Sequence, residues 1–349
     1  MAVLKWLEQR VEGFTLAAVV VGLIPQLLAL ACLCAMVSAA LSGAQAQDQT
    51  QDKSPESGQA VETEMRNVMY RFTDRVDVRI HDLRGQLVPT EKQEYPVFDD
   101  KNSFRIAIQR AQITISTASL ANALNSYVFS GHDSPLKGVS ISVEKGLVHV
   151  KGRLHTKGNL PFEMAGTLAP TADGQVELRS QKVRALHLPV KGIMDLFGID
   201  TSDVVDTSKL PGIRAEKDDL ILDPALILPP PHITGAVKSL HVEGQSIVMT
   251  IGDKSEPLGP APAKNFMTFH GNRLAFGKLL MTNTDLTIVD TTPDDALDFF
   301  LDHYKEQLAA GYTKITPLFA LRVFLPDYNK LPQTKTAGDA ARNLNARAN

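Results

Sequence analysis

Residues 113–129 read ITISTASLANALNSYVF, and this stretch decides how the chain is expected to fold. Its first residues alternate between apolar and polar side chains, as at the end of a half-buried strand. Ser116 or Thr117 can then cap the first free amides of a helix, which Gly131 would end. The apolar stripe of this helix follows helical spacing and consists of Leu120, Leu124, Tyr127 and Val128. Such a stripe has to be buried against other elements.

Strand signals lie on both sides of this helix. Residues 76–80 and 104–108 alternate between apolar and polar side chains. After the helix, short apolar runs are separated by turn signals such as Lys145-Gly146 and Asp173-Gly174. Short connections between successive strands predict an antiparallel meander. Glycines inside two of these strands predict bulges, so we expect a strongly curved sheet.

Two further helices are predicted. Residues 189–197 read PVKGIMDLF, with a proline in the first turn and Ile193 and Phe197 on the apolar side. Another helix is expected to begin at Thr292-Pro293 and to end at Gly311. The predicted fold class is therefore α+β. It consists of a strongly curved antiparallel β-sheet wrapped around a helix, with an additional C-terminal α/β segment.

The composition excludes some classes of protein. The chain has 36 Lys and Arg against 39 Asp and Glu and a formal net charge of −3, so it lacks the basic excess of a nucleic-acid-binding protein. A hydrophobic content of 44% is too high for a disordered chain. The two cysteines are Cys32 and Cys34, so no disulfide is expected after residue 46.

The N-terminal residues have the features of an export signal. An uncharged run extends from Gly13 to Gln47, and Ala44-Gln45-Ala46 fits the pattern that signal peptidase cleaves. The competing interpretation is an uncleaved membrane anchor over residues 16–41, since about 20 apolar residues suffice to span a bilayer. With either, we expect the remainder to be exported to the periplasm or cell envelope, and an anchor would tether it to the inner membrane.

Four segments are therefore expected along the chain. They are a signal peptide or membrane anchor (residues 1–46), a polar flexible linker (47–64), a folded α+β domain (65–332) and a disordered tail (333–349).

No catalytic signature stands out in the sequence. G-x-S-x-G, H-E-x-x-H, Walker and dinucleotide-binding motifs are absent, and the nine histidines are scattered. Asp294, Asp298 and Asp302 have i, i+4, i+8 spacing, which predicts the solvated face of a helix. We therefore expect no enzymatic activity, no cofactor and no metal site.

One predicted strand carries a basic stripe. His149, Lys151, Arg153 and His155 alternate with apolar residues, so their side chains are expected on one face of the sheet. Two interpretations remain open. Lys151, Arg153 and His155 could bind anionic lipid head groups, or the stripe is the water-facing side of a one-sided sheet.

Several segments carry a family resemblance, namely ITISTASLANALNSYV, VSISVEKGLVHVKGRL and PPPHITGAVKSLHVEG. They resemble the LmeA-like phospholipid-binding proteins of the tubular lipid-binding (TULIP) group. The resemblance covers about residues 104–252; residues 65–100 and those after Gly252 have no counterpart. It implies a TULIP-like half barrel, with a lipid in a groove between helix and sheet. The implied groove would be lined by Leu120, Leu124, Tyr127, Val128, Ile193 and Phe197.

The expected function is that of an exported cell-envelope protein that binds a phospholipid or similar amphiphile in an apolar groove, without catalysis. Its expected partners are this amphiphile and the membrane, with no nucleic acid. Two alternatives remain open. One is an envelope structural or assembly protein with a packed core and a protein partner; the other is a hydrolase acting on lipid or glycan.

Overall fold

The computed structural model describes residues 60–332 apart from 133, 156–157, 186–187, 190–211, 217–218 and 254–256. The predicted leader, residues 47–59 of the predicted linker, residues 190–197 of the second predicted helix and the predicted tail lie outside the described residues. Within the described part, 59% of the residues are in strands and 13% are helical.

Eighteen strands and three short helices are described. In chain order the strands are β1 (Val61–Thr73), β2 (Val76–Pro89), β3 (Phe104–Ser116), β4 (Leu136–Glu144), β5 (Leu147–Leu154), β6 (Leu160–Pro170), β7 (Val176–Ala185), β8 (Leu188–Pro189), β9 (Ile213–Glu216), β10 (Asp219–Leu222), β11 (His232–Thr234), β12 (Val237–Glu243), β13 (Ser246–Gly252), β14 (Phe266–Phe276), β15 (Leu279–Asp290), β16 (Leu297–Phe300), β17 (Tyr312–Ile315) and β18 (Leu321–Leu325). The helices are α1 (Thr117–Ala123), α2 (Pro224–Ile227) and α3 (Tyr304–Ala310).

These strands form two sheets. The first has eleven strands in the order β12-β13-β3-β2-β1-β14-β15-β18-β17, with β11 beside β3 and β16 beside β1. The second has seven strands in the order β4-β5-β6-β7-β10-β9, with β8 beside β7. The run from β4 to β7 is antiparallel, which confirms the predicted meander. Its first turn is the predicted Lys145-Gly146, where both residues have positive φ values of 53° and 78°.

Strand β1 changes its neighbour in the middle. Residues 61–66 pair with β14, whereas residues 68–71 pair with β16. Asn67 lies between the two sets with a φ of 56°, which interrupts the regular pleat. The strand begins at Val61, so the last four residues of the predicted 47–64 linker are part of the sheet.

The prediction of a curved sheet wrapped around a helix, as in a TULIP-like half barrel, is wrong. Two large sheets dominate the described residues instead. Helix α1 and the π-helical turn Leu124–Val128 that follows it together span about 18 Å, whereas a 13-residue strand such as β1 spans about 43 Å. A helix of this length is too short to fill the interior of such a sheet.

The predicted additional C-terminal α/β segment is also wrong, because β14, β15, β17 and β18 extend the first sheet. The helix expected from Thr292 begins only at Tyr304, and Leu297–Phe300 form strand β16 beside β1. All four residues of β16 are buried, including Asp298, whose predicted position was the solvated face of a helix. Burial on both faces favours a strand covered on both sides over a surface helix.

Aromatic side chains fill one end of the first sheet. The ring centroid of Phe98 lies 5.0–6.0 Å from those of Phe104, Phe269, Phe276 and Tyr304. The contacts with Phe269, Phe276 and Tyr304 are edge-to-face, and such contacts add about 1 kcal/mol each to the burial of the rings. In the described part of the chain, no helix combines the length and the apolar character needed to span a bilayer.

Candidate ligand-binding cleft

Helix α1 joins the two sheets, and its start follows the sequence closely. The Ser116 hydroxyl accepts a hydrogen bond from the Ser119 amide at 3.0 Å, which confirms the predicted N-cap. The Ser119 hydroxyl donates to the Asp77 carboxylate on β2 at 2.6 Å. In the π-helical turn, the Asn125 side-chain amide donates to the Val139 carbonyl on β4 at 2.6 Å. The helix is therefore fixed between the first and second sheets.

An apolar cleft opens beside this helix, between the two sheets. Its walls come from β3 and β13 of the first sheet, from β6, β7 and β10 of the second sheet, and from α1 and the α2 region. The ten lining residues are all apolar: Ile115, Leu120, Leu168, Val176, Leu222, Pro224, Ile227, Leu228, Ile247 and Met249.

The wall formed by α2 is held by a cap at its start. The Asp223 carboxylate accepts a hydrogen bond from the Ala225 amide at 2.9 Å, and Pro224 occupies the first turn, where its missing N–H costs nothing. Ile227 and Leu228 consequently point inward and are buried. The local sequence thus places two apolar side chains in the wall of the cleft.

The cleft is small and partly open. Its cavity volume is about 50 Å³. One water needs about 10–15 Å³, so the cavity holds a few waters or methylene groups. Leu120, Leu168 and Leu222 are only half-buried, and Leu226 on the outer side of α2 is 49% exposed. Apolar surface therefore reaches from the interior to solvent.

The structure brings only part of the predicted groove together. Leu120 lines the cleft. Leu124 and Val128 are buried in the core but do not line it, and Tyr127 is 36% exposed. Ile193 and Phe197 lie outside the described residues. The apolar stripe of the helix therefore serves mainly as core.

Most of the residues that line the cleft could not be identified from the sequence. Ile115, Leu168 and Met249 each belong to strands that the sequence signals indicate, but their positions lie far apart along the chain. Their meeting depends on β13 pairing with β3 and on the packing of the second sheet. The one local signal was the short apolar run before three prolines, of which Ile227 and Leu228 line the cleft.

The basic stripe lies on the other face of the second sheet. Val148 and Leu154 of β5 are buried toward the core, so the alternating Lys151 and Arg153 point outward, away from the cleft. His155 follows at the end of the strand, where its Nδ1 lies 3.1 Å from Asn159 Oδ1. The predicted head-group residues are therefore not next to the cleft.

Lys151 has a partner within the sheet. Its ammonium lies 3.4 Å from the Glu163 carboxylate on β6, the residue directly opposite. Partial burial raises the pKa of Glu163, but the charges and hydrogen bonds of Lys151 and His149 together outweigh it and hold this pKa below its ordinary value. This pairing is typical of a water-facing antiparallel surface.

No family model, no curated protein and no solved structure matches the chain. An assignment of function consequently depends on the cleft and on the surfaces of the described residues.

Proposed function

We propose that the protein is a non-catalytic lipid-binding protein of the cell envelope, which holds an acyl chain of a phospholipid or similar amphiphile in the cleft between its two sheets. The observation that carries this proposal is the lining of the cleft, which consists of ten apolar residues. The half-buried Leu120, Leu168 and Leu222 provide an apolar path from solvent to the interior.

The energetics explain why a wholly apolar lining suits such a ligand. A methylene group contributes about 0.8 kcal/mol on burial, so a chain of about sixteen carbons loses on the order of 10 kcal/mol when it leaves a bilayer. A polar group without a hydrogen-bond partner in the wall would weaken this compensation. The ten lining side chains include no nucleophile, acid or base, so they support binding rather than chemistry.

A complete acyl chain requires more space than the closed cleft provides. About 50 Å³ accepts the end of a chain, so entry of the remainder requires that one wall move outward. We assign this movement to α2, because it has only four residues and its Leu226 side chain is already exposed. The N-terminal export pattern supports the assignment to the envelope.

Native mass spectrometry of the full chain, purified in a mild detergent, tests the proposal. We expect a population that carries one additional phospholipid mass. Leu120→Trp would fill the cleft and remove this population, while Tyr127→Trp introduces the same ring on the exposed side of the same helical segment and should leave it unchanged. An unloaded wild-type chain that also fails to take up added phospholipid, or equal loading of the two variants, would contradict the proposal.

A further inference from the structure

Two hairpin tips of the first sheet leave large apolar side chains in water. At the β14–β15 tip, Leu279 is 46% exposed and Leu280 is 48% exposed. At the β17–β18 tip, Ile315 is 71% exposed, and Leu318 and Phe319 are each 90% exposed. Isolated exposed leucines are ordinary, but a group of such residues marks an interaction surface.

Both tips lie at the same end of the sheet. Strands β15 and β18 are parallel, with Leu286 beside Leu321, so the turns that precede them project in one direction. Leu279 lies seven residues, about 23 Å, beyond the level of Leu321, so the β14–β15 tip extends further than the β17–β18 tip. The first residue of β1, Val61, pairs with Gly271 of β14, so the chain also enters the sheet toward this end. We call the exposed residues Leu279, Leu280, Ile315, Leu318 and Phe319 the docking tips.

The β17–β18 turn is ordered by its own hydrogen bonds. The Thr316 amide donates to the Ala320 carbonyl at 2.9 Å, and the Phe319 amide donates to the Thr316 carbonyl at 2.9 Å. Phe319 has a φ of 63°, a conformation that costs a bulky residue about 1 kcal/mol or more. The turn therefore holds Leu318 and Phe319 outward in a defined conformation.

Basic side chains accompany the docking tips. Lys278 lies in the first turn, while Lys314 and Arg322 lie directly opposite each other on β17 and β18. Among the residues that the structure describes, no carboxylate pairs with any of the three. The Lys314 ammonium lies 5.5 Å from the ring centroid of Tyr312 and 5.4 Å from that of Phe324. Two adjacent cations without counter-ions favour an anionic partner.

We infer that the docking tips insert into the surface of a bilayer that contains anionic phospholipid. Exposed leucine and phenylalanine beside unpaired lysine and arginine is the composition that binds the interface of such a membrane. The N-terminal sequence agrees with this choice of partner. Residues 48–60 join the uncharged apolar stretch ending at Gln47 to Val61, and these thirteen residues reach at most about 45 Å. If the stretch is the uncleaved anchor, which is one of its two interpretations, this length limits the distance from Val61 to the bilayer to about 45 Å.

The docking tips are remote from the cleft, so this inference does not rest on the proposed function. Ile106 lies level with Val61 across β2, and Ile115 in the cleft wall is nine residues further along β3, about 30 Å away. A protein docked through its tips would load the cleft at a distance from that bilayer surface.

Fluorescence quenching of the full chain tests the inference. Trp6 is the only tryptophan, so a Trp6→Phe background allows one reporter to be placed at a time. Phe319→Trp places it at the docking tips. Arg75→Trp is the matched control, because Arg75 is exposed in the β1–β2 turn at the opposite end of the same sheet. The probe is a vesicle of phosphatidylglycerol and phosphatidylcholine with brominated acyl chains.

We expect strong quenching of the Phe319→Trp reporter and none of the Arg75→Trp reporter. Adding Lys278→Glu, Lys314→Glu and Arg322→Glu should remove most of the quenching. Leu120→Trp fills the cleft and places no reporter at the tips. In vesicle flotation, chains with Leu120→Trp should still bind the vesicles when the three cations are intact and lose this binding when the three charges are reversed. Equal quenching of the two reporters, or none of either, would overturn the inference. A blue shift of the Phe319→Trp reporter that rises with protein concentration without vesicles would overturn it too, since it would indicate a second copy of the chain as the partner.

Discussion

Asn125 and Val139 exchange two hydrogen bonds between the π-helical turn and strand β4. The Asn125 side-chain amide donates to the Val139 carbonyl at 2.6 Å, and the Val139 amide donates to the Asn125 side-chain oxygen at 2.9 Å. Val139 lies where the β4–β5 register shifts, between Lys137 and Ser140, after Gly138 with a φ of 60°. The bulge leaves the backbone of Val139 outside the ladder, and Asn125 satisfies both of its groups.

Asn125→Ala should therefore lower the free energy of unfolding by about 2–3 kcal/mol. The substitution removes both hydrogen bonds to Val139 and a third, which the Asn125 side-chain amide donates to the Ala121 carbonyl at 2.8 Å, and it leaves a strand amide and carbonyl without partners. Urea denaturation followed by circular dichroism measures this loss. The control is Asn122→Ala, which removes one exposed hydrogen bond to the Arg75 carbonyl and should cost about 1 kcal/mol or less. Equal stability of the two variants would contradict the bridging role.

The ion pair of Arg71 and Asp298 provides a second prediction. Arg71 Nε lies 2.5 Å and Nη2 lies 3.0 Å from the two oxygens of Asp298, which is 3% exposed. Asp298→Ala leaves the partly buried Arg71 guanidinium with only the more distant Asp77 carboxylate, at 3.8 Å, and removes the acceptor of the Asn329 amide. We therefore expect a loss of about 3 kcal/mol in the free energy of unfolding.

Asp302→Ala is the matched control for this loss. Asp302 pairs with Lys101 at 2.9 Å, but both side chains are substantially exposed, so this substitution should cost less than about 1 kcal/mol. A surface helix with Asp298 and Asp302 on one face would instead give similar small losses for both. Chemical denaturation of the two variants therefore separates the strand β16 from the helix that the sequence signals indicate.

Asp290 provides a prediction about pH. Burial is the main cause that raises the pKa of Asp290, and the charge of Asp327 adds to it, against hydrogen bonds from Asn265 and Thr292. Because the pKa of Asp290 is higher in the folded than in the unfolded state, the folded state binds more protons at pH values between these two pKa values. The free energy of unfolding therefore falls as the pH rises through the folded-state pKa. Asp290→Asn should remove this contribution to the dependence of the free energy of unfolding on pH. Urea midpoints measured from acid to neutral pH check this.

Glu163→Gln is the control of opposite sign. The pKa of Glu163 is lowered in the folded protein, so its stabilisation is present above the unfolded pKa and is lost as pH falls through the folded one. Glu163→Gln should therefore lower the free energy of unfolding more at neutral pH than at acid pH. Parallel pH profiles for the wild type and Asp290→Asn would show that the buried carboxylate of Asp290 is not linked to folding.

Local features of the fold could be predicted from the sequence. The Ser116 cap, the Lys145-Gly146 turn and the β4–β7 meander follow from residue type and alternation, which act within a few residues. The start signals at Thr292 were misleading, because the burial of Leu297–Phe300 beside β1 favours a strand. This pairing joins positions more than 220 residues apart in sequence, and no local pattern encodes it.

The candidate site was less predictable than the fold. The stripe of α1 and its π-helical turn was correctly recognised as apolar, but burial in a core and lining of a cleft require the same residue types. Leu124 is buried in the core, whereas Leu120, one turn earlier, is half-buried and lines the cleft. The basic stripe around Lys151 was correctly placed on one strand face, and only the neighbouring Glu163 shows that this charge is paired.

Photo-crosslinking tests most directly the central claim that an acyl chain occupies the cleft. The full chain in mild detergent is loaded with a phospholipid that carries a diazirine in its acyl chain, irradiated, and mapped by peptide mass spectrometry. We predict that the label is attached to the strands that contain Leu168, Leu222 and Met249, and that Leu120→Trp removes it. A label confined to the docking tips, or one that Leu120→Trp does not diminish, would contradict the claim.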